Sequence, residues 1–460
     1  MSQEPNIIST GIPGLDEIMH GGFIAGSTIL LAGHPGAGKT TFGAMFIYYG
    51  ATKYGDPGIY LNFNESKSIF YSFMRKFGMD FEKIEKEGKF RYIDALTVSD
   101  PKDIDDTIRY LMENIIELDA KRVVIDPISV ITRLLSPAKA RALIANTIVK
   151  ILKNLEVTTI LIADLPYGFK KVGYGVEEFV SDTVIILHTD VREDYIKRML
   201  EIRKIRGEPI RFGVIPYVIL DKGIEVIVPL TLKVEGTFQD EFITTGSPEL
   251  DNFIGGGVPK NSITAIVGPA GAGKTMIALN LAVKNAERGK KILYLSFTES
   301  KEQLLKRLKL LGYDDKKARD FIRIIAVNPL CISENELLLM MRKVLSKYSP
   351  DIYIVDALEV LLLALGKKDF INYIYRRVHE LKKQGLTVII TINMNYPEER
   401  ICIDNLVDNL IVIRMHLNEN EVQRRLFVWK LRGKKAPSKY AKIIETERGE
   451  IKLILPNQNT

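Results

Sequence analysis

At 460 residues the chain is long for a single hydrophobic core, and two or three domains are expected. Its 46% hydrophobic and 26% charged residues are those of an ordinary soluble globular protein. Apolar runs such as Leu337–Met341 and Val360–Leu365 are too short to span a bilayer, and the opening MSQEPNIISTGIPGLD lacks a basic segment leading into an apolar one, so neither a membrane partner nor a signal peptide is expected. The two cysteines, Cys331 and Cys402, have no metal-ligand spacing and read as reduced thiols of a cytoplasmic protein. The net charge of +7 is uneven: Val422–Ile444 carries Arg424, Arg425, Lys430, Arg432, Lys434, Lys435, Lys439 and Lys442 and no acidic residue. Such a stripe suits either nucleic acid or phosphates held at a subunit boundary.

In chain order, the first strong signal is an apolar, strand-like run, Thr28–Ala32, followed by Gly33-His34-Pro35-Gly36-Ala37-Gly38-Lys39-Thr40 and a helix-like segment from Thr41. This is G-x-x-x-x-G-K-[ST] in the strand-to-helix context that a phosphate-binding loop requires. Successive N–H groups at a helix start make a concave anion site, Lys39 suits the β and γ oxygens, and Thr40 suits Mg²⁺. Gly33, Gly36, Ala37, Gly38, Lys39, Thr40 and Thr41 are therefore the expected nucleotide-binding residues. A strand over Gly58–Phe63 ends in Asn64-Glu65-Ser66 and leads to an amphipathic helix whose Ile69, Phe70, Phe73 and Phe77 are expected to face the core. The buried strand Val123–Asp126 ends in a carboxylate placed to hold Mg²⁺ through water. A helix (Ala138–Glu156) and another buried strand (Thr158–Ala163) end at Asp164, which could either sense the γ-phosphate or cap a loop. The half closes on Lys204-Ile205-Arg206-Gly207, whose K-x-R alternation places two cations on one face of a strand.

The second half replays this order. Thr10-Gly11-Ile12-Pro13-Gly14-Leu15-Asp16 returns as Thr245-Gly246-Ser247-Pro248-Glu249-Leu250-Asp251, and in each copy the loop lysine stands 28 residues after the motif's first glycine. The second loop supplies Gly268, Gly271, Ala272, Gly273, Lys274, Thr275 and Met276. Thr298-Glu299-Ser300 follows a strand at Ile292–Phe297, with a helix marked by Leu304, Leu305, Leu308 and Leu311. Asp356 ends Ile352–Asp356 as the second metal carboxylate, Asn393 occupies the place of Asp164, and Lys430 and Arg432 repeat the cation pair. The carboxylates stand 87 and 82 residues beyond their loop lysines, a near-equality that favours function over helix capping. A period of 235 residues is a duplicated domain rather than a repeat array, with the joint expected near Val234–Gln239 and domains over 1–234 and 235–460. Strands alternating with helices in each half predict an α/β fold with ligand beyond the carboxyl ends of a parallel sheet.

These motifs, with Glu177–Leu187 (EEFVSDTVIIL), make the sequence resemble the KaiC family, the double-domain branch of the RecA-like P-loop ATPases, over essentially the whole chain. The resemblance implies two tandem RecA-like P-loop domains, each a mostly parallel sheet flanked by helices. It also implies a homo-oligomeric ring, commonly a hexamer, with ATP and Mg²⁺ at subunit boundaries and regulatory protein partners. Lys204 and Arg206, and Lys430 and Arg432, would then be fingers reaching the neighbour's γ-phosphate.

The family usually has two consecutive glutamates after the second strand, the first associated with activating water; here Asn64-Glu65 and Thr298-Glu299 keep only the second, which leaves Glu65 and Glu299 as catalytic candidates and predicts slow hydrolysis. The segment Ile403-Asp404-Asn405-Leu406-Val407-Asp408 has no hydroxyl where the clock protein has its phosphorylated Ser-Thr pair, so clock-type autokinase activity is not expected. Two other classes compete with a hydrolysing regulator: a non-hydrolysing ATP sensor or scaffold, and a DNA recombination or repair ATPase related to RecA and RadA. Nothing N-terminal to Thr10 resembles a DNA-binding module, which weighs against the latter.

Overall fold

In the computed structural model the chain divides into two compact units, Met1–Pro229 and Leu230–Thr460. The structure describes residues 6–455 except 99, 167, 169–171, 173–175, 192–194, 211, 230–240, 314–319, 398–402, 404 and 419–420. The expected joint at Val234–Gln239, Cys402 and Asp404 lie outside the described residues.

Each unit is built on one nine-stranded sheet. We number the first β1 (Thr28–Gly33), β2 (Gly58–Asn62), β3 (Phe90–Asp94), β4 (Arg122–Asp126), β5 (Thr158–Asp164), β6 (Thr183–Val191), β7 (Ile196–Ile205), β8 (Val214–Leu220) and β9 (Gly223–Val226). The second sheet has β10 (Ile263–Gly268), β11 (Ile292–Ser296), β12 (Ile322–Ala326), β13 (Ile352–Asp356), β14 (Thr387–Asn393), β15 (Asn409–Asn418), β16 (Glu421–Lys430), β17 (Ala441–Glu445) and β18 (Ile451–Ile454). The spatial order is 9-8-7-6-1-5-4-2-3, and the second sheet repeats it strand for strand as 18-17-16-15-10-14-13-11-12. In the first sheet the six strands β1 to β6 are parallel, and β7 to β9 extend the β6 side as an antiparallel meander.

The run of apolar residues in β1, β4 and β5 has the sequence signature of strands covered on both faces, and these strands are buried along nearly their whole length. One face of the first sheet packs Phe42, Phe46, Tyr60, Phe70 and Phe81; the other packs Ile104, Leu111, Ile131 and Leu152. The outer parallel strands β3 and β12 and the helices Pro101–Leu118 and Glu334–Tyr348 have no counterpart among the elements expected from sequence.

One helix departs from expectation. Phe70 and Met74 of Lys67–Lys76 are buried, whereas Ile69 and Phe73 are 47% and 44% exposed. Successive positions on a helix differ by about 100°, so a sheet that takes 70 and 74 turns 69 and 73 toward its flank. In the matching helix Lys301–Leu310, Leu304 and Leu308 are buried as expected.

The repeated Thr-Gly motif is a local clamp. Asp16 accepts hydrogen bonds from the Thr10 N–H (2.8 Å) and the Thr10 and Ser9 hydroxyls (2.6 Å each), and Asp251 does the same for Thr245 and Thr244. Each pins the segment entering its sheet.

Candidate functional site

In both units the central strand of the nine ends at the glycine loop. β1 stops at Gly33 and the helix Lys39–Tyr49 starts after Gly38; β10 stops at Gly268 and Lys274–Ala286 starts after Gly273. Gly38 and Gly273 have φ of 92° and 93°, a conformation that turns the chain from loop to helix and that side chains disfavour. A Cβ on Gly33 or Gly268 would sit 2.7 Å from the carbonyl oxygen of Leu187 or Ile413. Neither helix start has a side-chain cap, so the first-turn N–H groups of each face the loop, where an anion satisfies them. Gly36 and Gly271 form the exposed crown of the loops, while Ala37, Ala272, Thr41 and Met276 are buried beneath.

The lysines lie across these loops. Lys39 Nζ donates to the carbonyls of Gly33 (2.9 Å) and His34 (3.2 Å), and stands 3.4 Å from Asp164. Lys274 donates to Gly268 (2.9 Å) and Pro269 (2.8 Å), and burial lowers its pKa.

Beneath each lysine a threonine meets the strand-end aspartate. Thr40 Oγ1 donates to Asp126 Oδ2 at 2.9 Å, and the fully buried Tyr60 hydroxyl donates to the same oxygen at 2.7 Å. In the second unit Thr275 donates to Asp356 at 3.3 Å and Tyr294 at 2.6 Å, and Thr391 adds a third hydroxyl. Burial raises the Asp126 pKa, partly offset by the hydroxyls of Tyr60 and Thr40. A hydroxyl and a carboxylate beside an N–H-lined loop and an ammonium are the hard-oxygen donors that suit Mg²⁺ with a polyphosphate. Among the described residues there is no group of three or more His, Cys, Asp or Glu that could hold a metal unaided, so such an ion would share its ligands with phosphate oxygens.

The two glutamates are not equivalent. Glu65 has one carboxylate oxygen, Oε2, buried without a hydrogen-bond partner among the described residues, and burial, then the charge of Asp126, raises its pKa. Glu299 Oε2 instead accepts from Arg307 Nε at 2.8 Å. The position matching Arg307 in the first unit is Phe73.

The strand-end polar residues differ in a complementary way. Gly33 is in register with Asp164, which accepts from the Ser129 hydroxyl at 3.0 Å. Gly268 is in register with Asn393, whose amide donates to Glu359. Ser129 and Glu359 occupy the same place, three residues beyond Asp126 and Asp356.

The K-x-R residues lie at the opposite end of the strands, beside the first residues of the loop strands β1 and β10. Lys204 is in β7 but Arg206 falls just beyond it, and Lys430 ends β16 with Arg432 in the following turn, so the pair does not share a strand face as expected. A register shift at Val184/Ile185 and at Leu410/Ile411 leaves Arg203 and Trp429 bulged beside the lysines, which bends the chain there. Lys204 donates to the carbonyls of Glu178 (3.1 Å), Phe179 (3.3 Å) and Ser181 (2.6 Å), and Arg206 pairs with Asp182 at 3.1 Å. Lys430 donates to Val407 at 2.8 Å and Arg432 pairs with Asp408. Asp182 also accepts from the N–H of Thr28, the first residue of β1, whereas the loop leaves its last. At about 3.3 Å per residue that separation is roughly 17 Å, beyond the reach of an arginine to its own loop.

Among the described residues, three of the eight basic residues of Val422–Ile444 pair with acids: Arg424, Lys442 and Arg432. Arg424 pairs with Glu445 and Lys442 with Glu421, both at 3.0 Å, from acids just outside the stretch, and Arg425 lies over the Tyr440 ring at 4.7 Å.

Tyr60, Tyr294, Thr391, Ser129, Glu359 and Arg307 were not singled out from sequence. The tyrosines had a signal, since each stands third in a repeated strand (GIYLN, ILYLS). Glu359 had one as well, as D-A-L-E replacing D-P-I-S between copies.

A glycine loop after the central parallel strand, with a Thr–Asp pair below it and the whole arrangement present twice, defines a tandem RecA-like P-loop nucleoside triphosphatase. The family model described as the KaiC ATPase matches residues 8–231 and 243–457, and the chain belongs to that family. It is similar to the circadian clock protein KaiC3 of Synechocystis sp., 29% identical over 93% of this chain and 87% of that protein. The circadian clock oscillator proteins KaiC of a Picosynechococcus species (27%, over 93% and 85%) and of Thermosynechococcus vestitus (28%, over 97% and 89%) are similar along comparable lengths. The chain is thus a nucleotide-binding P-loop ATPase. No helix among the described residues is long and apolar enough to cross a membrane.

Proposed function

We propose that the protein is a Mg²⁺-dependent ATPase that hydrolyses ATP slowly at the boundaries of a homo-oligomeric ring, a hexamer as in the family, and that its nucleotide state governs regulatory protein partners. The observation that carries this reading is the division of each sheet: loop, lysine and Thr–Asp pair at one end of the strands, Lys-x-Arg at the other, out of reach of its own loop. Head-to-tail packing of identical chains would bring the two ends together, and rotation closes such contacts into a ring.

In this reading the loop N–H groups and Lys39 or Lys274 bind the phosphates, and Thr40 with Asp126, or Thr275 with Asp356, holds Mg²⁺, which supplies charge neutralisation to the β and γ oxygens. Arg206 or Arg432 leaves its aspartate to place charge on the neighbour's phosphoryl group. Asn64 and Thr298 cannot act as bases near neutral pH, which supports slow turnover. The pairing of Arg424, Arg432 and Lys442 with nearby acids supports a local use of those residues over nucleic-acid binding.

Steady-state phosphate release by the full chain with ATP and Mg²⁺, against a Lys39→Ala, Lys274→Ala control, tests the reading. Turnover lost in the control is the expected result; turnover that persists there overturns it. The engagement of Glu299 by Arg307 favours a second reading, a non-hydrolysing ATP scaffold, whose mark is stoichiometric unhydrolysed ATP in the purified protein.

A further inference from the structure

If the second site hydrolyses ATP, it needs a proton acceptor. Thr298 carries no carboxylate, Glu299 is tied to Arg307, and Asp356 accepts from Thr275, Tyr294 and Thr391. Glu359 is different. It opens the helix Glu359–Lys383 three residues after Asp356, and its Oε1 is held by the Asn393 amide at the end of β14, the strand beside the loop strand β10. Its Oε2 is buried and takes no hydrogen bond among the described residues. It is also the strongest charged influence on the Lys274 ammonium, ahead of Asp356. One oxygen is fixed and the other is unengaged, close to the group that holds the phosphates.

The first unit shows the complementary arrangement. Ser129 stands where Glu359 does and has no basic oxygen, while Glu65 retains an unengaged Oε2 because Phe73 replaces Arg307. Among the described residues, Glu65 in the first unit and Glu359 in the second thus each present an unengaged carboxylate oxygen, contributed by a different element.

We propose that Glu359 is the proton acceptor of the second site, a role that rests on the ATPase reading above. As a water oxygen bonds to the γ-phosphorus, the bond from that phosphorus to the β–γ bridging oxygen breaks, and the water proton passes to Glu359 Oε2. ADP and inorganic phosphate are the products. Burial, the largest influence on the Glu359 carboxyl, raises its proton affinity in the direction such an acceptor needs.

The test uses full-length protein carrying Lys39→Ala, so that turnover comes from the second site. Glu359→Gln and Glu299→Gln are added separately, and binding of a non-hydrolysable ATP analogue is measured for each, with phosphate release and the ATP:ADP ratio of co-purified nucleotide. General-base removal is worth about 10²–10⁴ in rate. The expected result is a loss of about 10² or more in Glu359→Gln, at least tenfold beyond that in Glu299→Gln, with analogue affinity within about threefold and ATP retained in the purified protein. An equal or greater loss in Glu299→Gln overturns the proposal, as does loss of analogue binding in Glu359→Gln, which would make the residue a binding or folding element. No turnover in the Lys39→Ala background, with turnover in the Lys274→Ala protein, overturns the proposal and leaves the ATPase reading standing. No turnover in the unsubstituted chain overturns both.

Discussion

Replacing Asp408 with Asn separates what holds the second sheet together from what acts on nucleotide. Asp408 is 4% exposed, and its carboxylate accepts from the N–H of Ile263 (2.9 Å), from Lys382 (2.9 Å) and from Arg432. Asparagine can still accept from Ile263 but leaves Lys382 without its counter-charge. Breaking a fully buried pair costs about 3–5 kcal/mol, whereas an exposed pair is worth about 0–1 kcal/mol. The Lys382 side chain is 27% exposed and Arg432 61%, so Arg432 adds little after screening and the loss should be about 2 kcal/mol. For a unit of this size that lowers Tm by about 4–8 °C, measurable by calorimetry. Burial pushes the Asp408 carboxyl up, but its bonds to Lys382, Ile263 and Arg432 outweigh this, and the folded-state pKa is lowered. Its stabilisation is therefore complete above the ordinary aspartate range of about 4 and is lost as the pH falls through the lowered value. The gap between unsubstituted and Asp408→Asn proteins should close in that acid window. Arg432→Ala, by contrast, should change Tm little and reduce second-site turnover about 10³-fold or more. A Tm shift below about 1 °C at neutral pH, or a gap unchanged in acid, would refute the reasoning.

Three further outcomes are expected. With the second site silenced by Lys274→Ala, chains carrying Lys39→Ala and chains carrying Arg206→Ala should each lack first-site turnover and partly recover it when mixed and reassembled, because an intact loop then meets an intact finger; no recovery would rule out a finger acting between chains. Gly33→Ala puts a methyl group 2.7 Å from the Leu187 carbonyl and should destabilise the first unit by about 1–3 kcal/mol and remove one nucleotide per chain, read by urea unfolding and equilibrium binding. Because burial and Asp126 raise the Glu65 pKa, turnover of the Lys274→Ala protein should fall on the acid side with a midpoint above the ordinary glutamate value of about 4.3; a midpoint at or below it would count against Glu65 as the first-site base.

Much of this architecture is legible in the chain because it occurs twice. The glycine loops, Asp126 and Asp356, and the buried strands that carry them are local patterns whose spacing the second copy corroborates. The outer strands β3 and β12 are not legible in the same way, since their alternating burial gives a weaker signal than a wholly apolar run. Side-chain pairing across elements is the least accessible. Glu65 and Glu299 are identical as letters, and only the fold shows that residue 73 or 307, eight positions after the glutamate and on the next helix, decides whether the carboxylate is engaged. The Lys-x-Arg pairs were expected to lie along a strand, but the bulges beside Arg203 and Trp429 and the strand ends that follow place the arginines in turns.

The exchange of Ser129 and Asp164 for Glu359 and Asn393 also constrains how the two copies could have diverged. Starting from either arrangement, one substitution leaves the lysine facing one acid more or one fewer than before, and neither halfway form keeps the original balance of charge. A descendant could reach the other arrangement only through such a form, or by changing both positions together. The spare copy makes that passage tolerable, because one half can falter while the other keeps its nucleotide. Ancestral or chimeric halves made with the single changes would show whether duplication opened this route.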